Sequence, residues 1–282
     1  MKIIITGSSG FIGFHLSRKL LENGSKVHGI DSMNSYYDVN LKKARLKILK
    51  KYKNFSFTKT KIENQKKLNK AFSKFKPTVV VHLAAQAGVR YSIKKPRVYL
   101  DSNITGSYNI IEISKKTKVK HLVMASSSSV YGANKKIPFK EIDKTETQLS
   151  IYAATKKSNE SMAHSYSNIW KIPITMLRFF TVYGPWGRPD MAPMIFAKSI
   201  LERKPIQIFN NGNMSRDFTY IDDIIESLVR VIEKPPTANK KFNNSDPDPS
   251  TSWAPYKVFN IGNSSPVSLM DYIQEIESSL GM

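Results

Sequence analysis

Tyr152 and Lys156 stand four residues apart in Tyr152-Ala153-Ala154-Thr155-Lys156, which places them on one face if the segment is helical. A tyrosine near its reference pKa of about 10 is a poor base at neutral pH, so the phenolate needs help. A neighbouring ammonium supplies it by direct charge attraction, and a nicotinamide cation would add to the field. Ser126-Ser127-Ser128-Ser129 directly follows an apolar run and can set a hydroxyl beside the phenol. Hydroxyl, phenol and ammonium together make a proton relay for interconverting an alcohol and a ketone. Each part also has a plainer reading, as surface packing for the Tyr–Lys pair and as turn chemistry for the serines.

A second constellation would bring the nicotinamide. The apolar run Lys2 to Thr6 leads straight into Gly7, Gly10 and Gly13, with Phe11 and Ile12 opening an amphipathic helix. Gly7 permits the tight turn, Gly10 lets the backbone approach a pyrophosphate, and Gly13 lets the helix pack closely on the sheet. The helix N-terminus offers unpaired N–H groups and the positive end of its dipole to the phosphates. Asp31 closes the next strand, where an acid meets the adenosine ribose hydroxyls. A carboxylate there repels a 2′-phosphate, which favours NAD over NADP.

These groups need a scaffold, and the pattern supplies one. Strands are expected near 2–6, 26–30, 55–58, 78–83, 121–126 and 173–179, and helices near 11–23, 40–53, 65–75, 97–117 and 150–170. Such alternation predicts an α/β fold, a doubly wound parallel sheet of Rossmann type with ligands at the C-terminal strand ends. Beyond Gly184 the pattern loosens into a smaller lobe, with a helix near 191–203, a short strand at 206–209 and a helix near 221–233. Residues 234–255 are rich in breakers and read as a mobile surface loop. A last strand from Tyr256 to Ile261 leads to a helix opening near Ser268, with Asp271 as a partial capping box.

The chain has 282 residues, 40% of them hydrophobic, enough for one large α/β domain and an annex. No apolar run approaches the length of a membrane span, and no signal peptide is visible. The absence of cysteine excludes disulfides, thiolate catalysis and zinc–thiolate sites, and fits a cytoplasmic enzyme. The net charge of +22 could attract nucleic acid, an anionic membrane or an acidic substrate. Its densest lysines, in 42–76, alternate with apolar residues as solvated helix faces do, and lack interleaved stacking aromatics. Neither a specific nucleic-acid partner nor membrane insertion is therefore expected.

The glycine triplet, Asp31, His82-Leu83-Ala84-Ala85-Gln86, the serines running into Val130-Tyr131-Gly132, and Tyr152 with Lys156 resemble the extended short-chain dehydrogenase/reductase family of nucleotide-sugar enzymes. Within it, Gly88-Val89-Arg90-Tyr91-Ser92, the segment Leu177 to Met191 and the segment Arg216 to Asp223 are similar to the UDP-glucuronate 4-epimerases. The resemblance implies that Tyr152 is the base, that Lys156 binds the nicotinamide ribose and lowers the Tyr152 pKa, and that Ser127 bonds the reacting C4 oxygen. Neighbouring serines of 126–129 remain alternatives for that last role. It further implies NAD contacts from Ile62, Leu83, Ala84, Ala85, Gln86 and Asn103, although Asn103 reads equally well as a polar residue satisfied by backbone. Arg188 and Thr181, with Ser128 or Ser129, are implied as holders of the uronate carboxylate. Arg90 falls in the same neighbourhood, and Arg216 is implied to pair with the UDP phosphates. A homodimer through a four-helix interface is implied as well.

The expected division is 1–184 for the NAD-binding domain, with return segments near 216–233 and 256–262, and 185–282 mainly for the substrate lobe. Two departures stand out. Lys61 occupies the place where the family usually has an Asp that contacts adenine, leaving the Ile62 backbone for that contact. The chain also ends at Met282, short of elements expected to complete the substrate lobe, which reads as a truncation. Rival readings are decarboxylation of UDP-glucuronate, 4,6-dehydration of a nucleotide hexose, another UDP-sugar 4-epimerisation, and an idle NAD-binding scaffold. Dehydration needs an acid–base pair for which Ser128 and Ser129 offer no substitute.

Overall fold

The computed structural model describes residues 1–208 and 210–282. Seven parallel strands form the main sheet: β1 (Lys2–Thr6), β2 (Lys26–Asp31), β3 (Phe55–Lys59), β4 (Val79–His82), β5 (His121–Ser127), β6 (Ile174–Phe179) and β9 (Tyr256–Ile261). Their order is β3-β2-β1-β4-β5-β6-β9, so the winding direction reverses between β1 and β4. Ligands of open α/β sheets bind in the crevice at such a switch point.

Side chains alternate across the pleat. Ile3 and Ile5 enter the core shared with α1 (Phe11–Glu22) and α9 (Ile221–Glu233), while Ile4 enters the opposite core with α3 (Gln65–Phe75), α6 (Ser107–Lys116) and α7 (Ile151–Trp170). Both faces are thus dry, which suits the Val79-Val80-Val81 run of β4.

The remaining helices are α2 (Val39–Leu49), α4 (Val89–Lys94), α5 (Pro96–Tyr99), α8 (Ala192–Leu201) and α10 (Leu269–Ser279). A small sheet of β7 (Thr181–Tyr183), β8 (Ser215–Tyr220) and β10 (Pro266–Ser268) joins α8 and α10 around Phe196, Leu269 and Ile273. Ser268 caps α10 by accepting from the Asp271 N–H at 3.1 Å, as the partial capping box predicts.

Four expectations need correction. The helix expected at 97–117 is broken by a π-helical stretch, Leu100–Gly106, between α5 and α6. The helix expected at 40–53 stops at Leu49, because the Lys50–Asn54 segment turns to feed β3. No strand forms at 206–208, and Phe209 lies outside the described residues. The 234–255 loop is anchored at its far end: Ala254 is fully buried, and the Trp253 indole donates to Asn168 on α7.

Candidate active site

A cleft of about 1170 Å³ opens along the C-terminal ends of the main sheet. One end is built by the turn after β1. Gly7 has φ of +75°, and a Cβ at Gly13 would collide with the Gly7 carbonyl, so the helix seats on the turn only because that position is glycine. Gly10 starts α1 with no side-chain cap, leaving the first N–H groups directed at the cleft. Asp31 is held rigid, accepting from the Ser9 N–H at 3.1 Å and the Met33 N–H at 2.8 Å. An open helix N-terminus on a glycine turn that a Cβ would fill and a fixed acid at the end of β2 fit the pyrophosphate and ribose of NAD.

The proton relay assembles further along. Ser150 caps α7 by accepting from the Ala153 N–H, which sets the phase that turns Tyr152 and Lys156 toward β5. Ser127, at the end of β5, lies in the same part of the cleft as the Tyr152 phenol and close enough to act on it, while its hydroxyl donates to the Ser129 hydroxyl at 3.2 Å. Ser126 points elsewhere, donating to Glu160 at 2.7 Å. Burial pushes the Tyr152 phenol up, while the Ser127 side chain and the Arg188 charge pull it down without cancelling the rise. Lys156 does not bond the phenol: its ammonium donates to the Ala125 carbonyl at 2.8 Å and stands 6.0 Å from the Tyr152 ring centre. Desolvation lowers the Lys156 pKa to about 8, with Glu160 opposing the fall.

The opposite wall comes from the segment after β7. Arg188 lies at the cleft in an ion pair with Asp190, its Nε 3.0 Å from Oδ1. That segment is clamped to the cofactor end by Arg45 of α2, whose fully buried guanidinium donates to the Ser9 carbonyl at 3.1 Å and to the Trp186 carbonyl. His15 of α1 adds a bond to the Pro185 carbonyl at 2.9 Å.

Of the residues singled out in the sequence, Gly7, Gly10, Phe11, Ile12, Gly13, Asp31, Ile62, Leu83, Ala84, Ala85, Gln86, Arg90, Ser127, Ser128, Ser129, Tyr152, Lys156, Thr181, Arg188 and Arg216 all line the cleft. Asn103 does not. It sits in the π-helical stretch, fully buried, accepting from the Gln86 N–H at 2.7 Å and donating to the Gln86 carbonyl at 3.0 Å and to Thr155 at 3.1 Å. The backbone-satisfied reading of Asn103 is the one the structure displays.

Tyr36, Lys42 and Asp190 also line the cleft and carry no signal in local spacing. Lys42 is a correction to the solvated lysine face: it is buried, and its ammonium donates to the Asn34 carbonyl and side chain at 2.8 and 2.7 Å.

The comparisons agree with this geometry. The family model for the NAD dependent epimerase/dehydratase family matches residues 3–262. Protein CapI of Staphylococcus aureus is 57% identical, with all of this chain aligned to 84% of that protein. A probable UDP-glucuronate 4-epimerase of Rhizobium meliloti is 48% identical, with all of this chain aligned to 83% of it. Among solved structures, UDP-glucuronic acid 4-epimerase from Bacillus cereus, in complex with UDP-glucuronic acid and NAD, superposes with a TM-score of 0.87 at 37% identity, covering all of this chain and 84% of that one. A phenol, a strand-end serine and a lysine gathered in a cleft suited to a dinucleotide, together with these matches, place the chain in the NAD dependent epimerase/dehydratase family.

Proposed function

We propose that the chain inverts C4 of a UDP-hexuronic acid, interconverting UDP-glucuronate and UDP-galacturonate through a 4-keto sugar, with NAD as cofactor. The observation that carries this reading is the convergence of Ser127, Tyr152, Lys156 and Arg188 in one cleft, with Lys156 one turn from the phenol and the Arg188 charge acting on it. NAD, when bound, would supply the hydride acceptor and donor that inversion at C4 needs. The dinucleotide would be held by the Gly7–Gly13 turn, Asp31, Ile62 and Leu83 through Gln86, with Lys156 at its ribose.

Tyr152 removes the C4 hydroxyl proton as hydride leaves and gives it back as hydride returns, while Ser127 bonds the same oxygen. Lys156 supplies positive charge that favours the phenolate when ligands fill the cleft and exclude water. The 4-keto uronate is a β-keto acid prone to lose carbon dioxide, so its carboxylate must be fixed where C–C cleavage is poorly aligned. Arg188 suits that task with Thr181, Ser128 and Ser129, because Asp190 engages only its Nε and one Nη. Arg90, which also lines the cleft, falls in the neighbourhood of that carboxylate, and Arg216 on β8 carries the charge to meet the diphosphate.

Residues 1–184 with α9 and β9 would form the cofactor part and most of 185–282 the substrate part, as the two separate cores support. A homodimer is supported by exposed apolar groups on adjoining helices, Tyr108 on α6 and Trp170 on α7.

Carbon-13 NMR of the products from UDP-glucuronate tests the reading, with Tyr152→Phe run in parallel. The intact chain is expected to yield UDP-galacturonate with no net use of NAD, and the variant to retain NAD but not turn over. A UDP-pentose product would instead make the chain a decarboxylase. Substrate left unchanged by the intact chain would reduce it to a binding scaffold.

A further inference from the structure

We infer that Glu160 is a positioning residue for the proton relay, tying the end of β5 to the face of α7 that carries Tyr152 and Lys156 through a buried carboxylate. This inference rests on the reading of Tyr152 as the base. Two side chains of α7 bond successive residues of β5, Lys156 donating to the Ala125 carbonyl at 2.8 Å and Glu160 accepting from Ser126 at 2.7 Å, and Tyr152 lies at the next residue, Ser127, in the cleft. Positions 152, 156 and 160 share one helix face, so a single strip of α7 carries the base, its cation and this carboxylate. Shifting Ser126 would drag Ser127, its chain neighbour, away from the phenol.

A carboxylate 3% exposed is costly unless paired. Arg178 of β6 pairs with it bidentately, Nε to Oε1 at 2.9 Å and Nη2 to Oε2 at 3.0 Å. Register makes this possible: Ser126, Arg178 and Asn260 stand abreast on β5, β6 and β9. Arg178 also donates to the Tyr131 hydroxyl, which donates to Asn260 at 2.6 Å, and to the Glu141 carbonyl. Lys157 lies 3.7 Å from Oε2, and the Tyr256 hydroxyl of β9 donates to the Glu160 backbone carbonyl.

The charges facing Lys156 are therefore few. Glu160 favours its protonated form. His82 of β4 is kept neutral by burial, its pKa near 3, and the Tyr152 phenol shares its helix. Replacing Glu160 by glutamine removes the favourable charge and leaves the Arg178 guanidinium uncompensated. Lys156 then loses its proton at lower pH, while the phenol, which titrates above Lys156 in either protein, loses a nearby negative charge.

The test is the pH dependence of turnover of Glu160→Gln, together with the phenolate absorbance of the NAD-loaded protein measured as a difference against Tyr152→Phe. The alkaline limb of kcat is expected to fall by about one pH unit, a tenfold loss of Lys156 proton affinity, with KM for UDP-glucuronate within about twofold of the unaltered protein. The Tyr152 phenolate midpoint is expected to fall, because Lys156 is already neutral at that pH and the change that remains is the lost carboxylate charge. An unmoved midpoint, or wild-type limbs whatever the height of kcat, overturns the inference. The absorbance readout needs no substrate, so it separates this inference from the proposed reaction, whose failure would show as no turnover by the unaltered chain. Should Glu160→Gln not fold, Ser126→Ala leaves the ion pair intact and cuts only the tie to β5. It is expected to lower kcat about tenfold with both pH limbs in place, and wild-type turnover in that variant would equally overturn the inference.

Discussion

At the scale of single residues, Lys61 is the sharpest departure. It follows β3 directly before Ile62 and lines the cofactor end of the cleft, where its ammonium offers only donors. The amino group of adenine is itself a donor, so Lys61 cannot pair with it. Glu63 lies in the same wall, and Lys59 and Lys67 border the adjoining depression, making this edge of the cleft more basic than a base-reading carboxylate would. Lys61→Asp is expected to tighten NAD about two- to tenfold, the net worth of one hydrogen bond of about 0.5–1.5 kcal/mol. Titrating NAD against the intrinsic fluorescence of both proteins checks it. Equal or weaker binding by the variant would show that Lys61 does not face the base.

Elements decide what the residues cannot. The π-helical stretch between α5 and α6 widens one turn so that Asn103 can reach both backbone groups of Gln86 and, through Thr155, the carbonyl of Tyr152. Asn103 thereby ties the β4 end of the cleft to α7 without lining the cleft itself. Asn103→Ala leaves the Gln86 N–H and carbonyl unpaired in a buried place, at about 1–3 kcal/mol for each such group. A lower melting temperature together with weaker NAD binding is expected, read by calorimetry and equilibrium titration. A melting temperature that falls with NAD affinity unchanged would confine the residue to packing. This element was not legible in advance. The glycine turn, Asp31 and the Tyr152–Lys156 pair were, because each is defined by spacing within one turn or one βα unit. The π stretch, the Arg45 clamp on Trp186 and the Arg178–Glu160 pair join residues far apart in the chain, and local periodicity carries no record of such partners.

For the whole molecule, acid is the revealing variable. His28, His82 and His121 sit in β2, β4 and β5, each buried and each bonded to neighbouring hydroxyls: Ser56 and Thr58, Thr6 and Ser107, and Thr175. Desolvation lowers them from 6.5 to about 4, about 3 and about 4 respectively. The folded state thus resists a proton that the unfolded chain accepts near 6.5. A depressed folded pKa means that stability is complete above the unfolded value and is lost as pH falls toward the folded one. Because all three lie in the sheet that carries the cleft, their protonation should loosen sheet and site together. The melting temperature is expected to decline steadily from about pH 6.5 to about pH 5, a window in which most carboxylates, with reference values near 4, are still ionised. His82 carries the largest fall and bridges β1 to α6, so His82→Asn should flatten part of that slope even if it lowers the plateau. A melting temperature constant across the window, or a slope unaltered in the variant, would mean that these histidines do not set the acid limit of the fold.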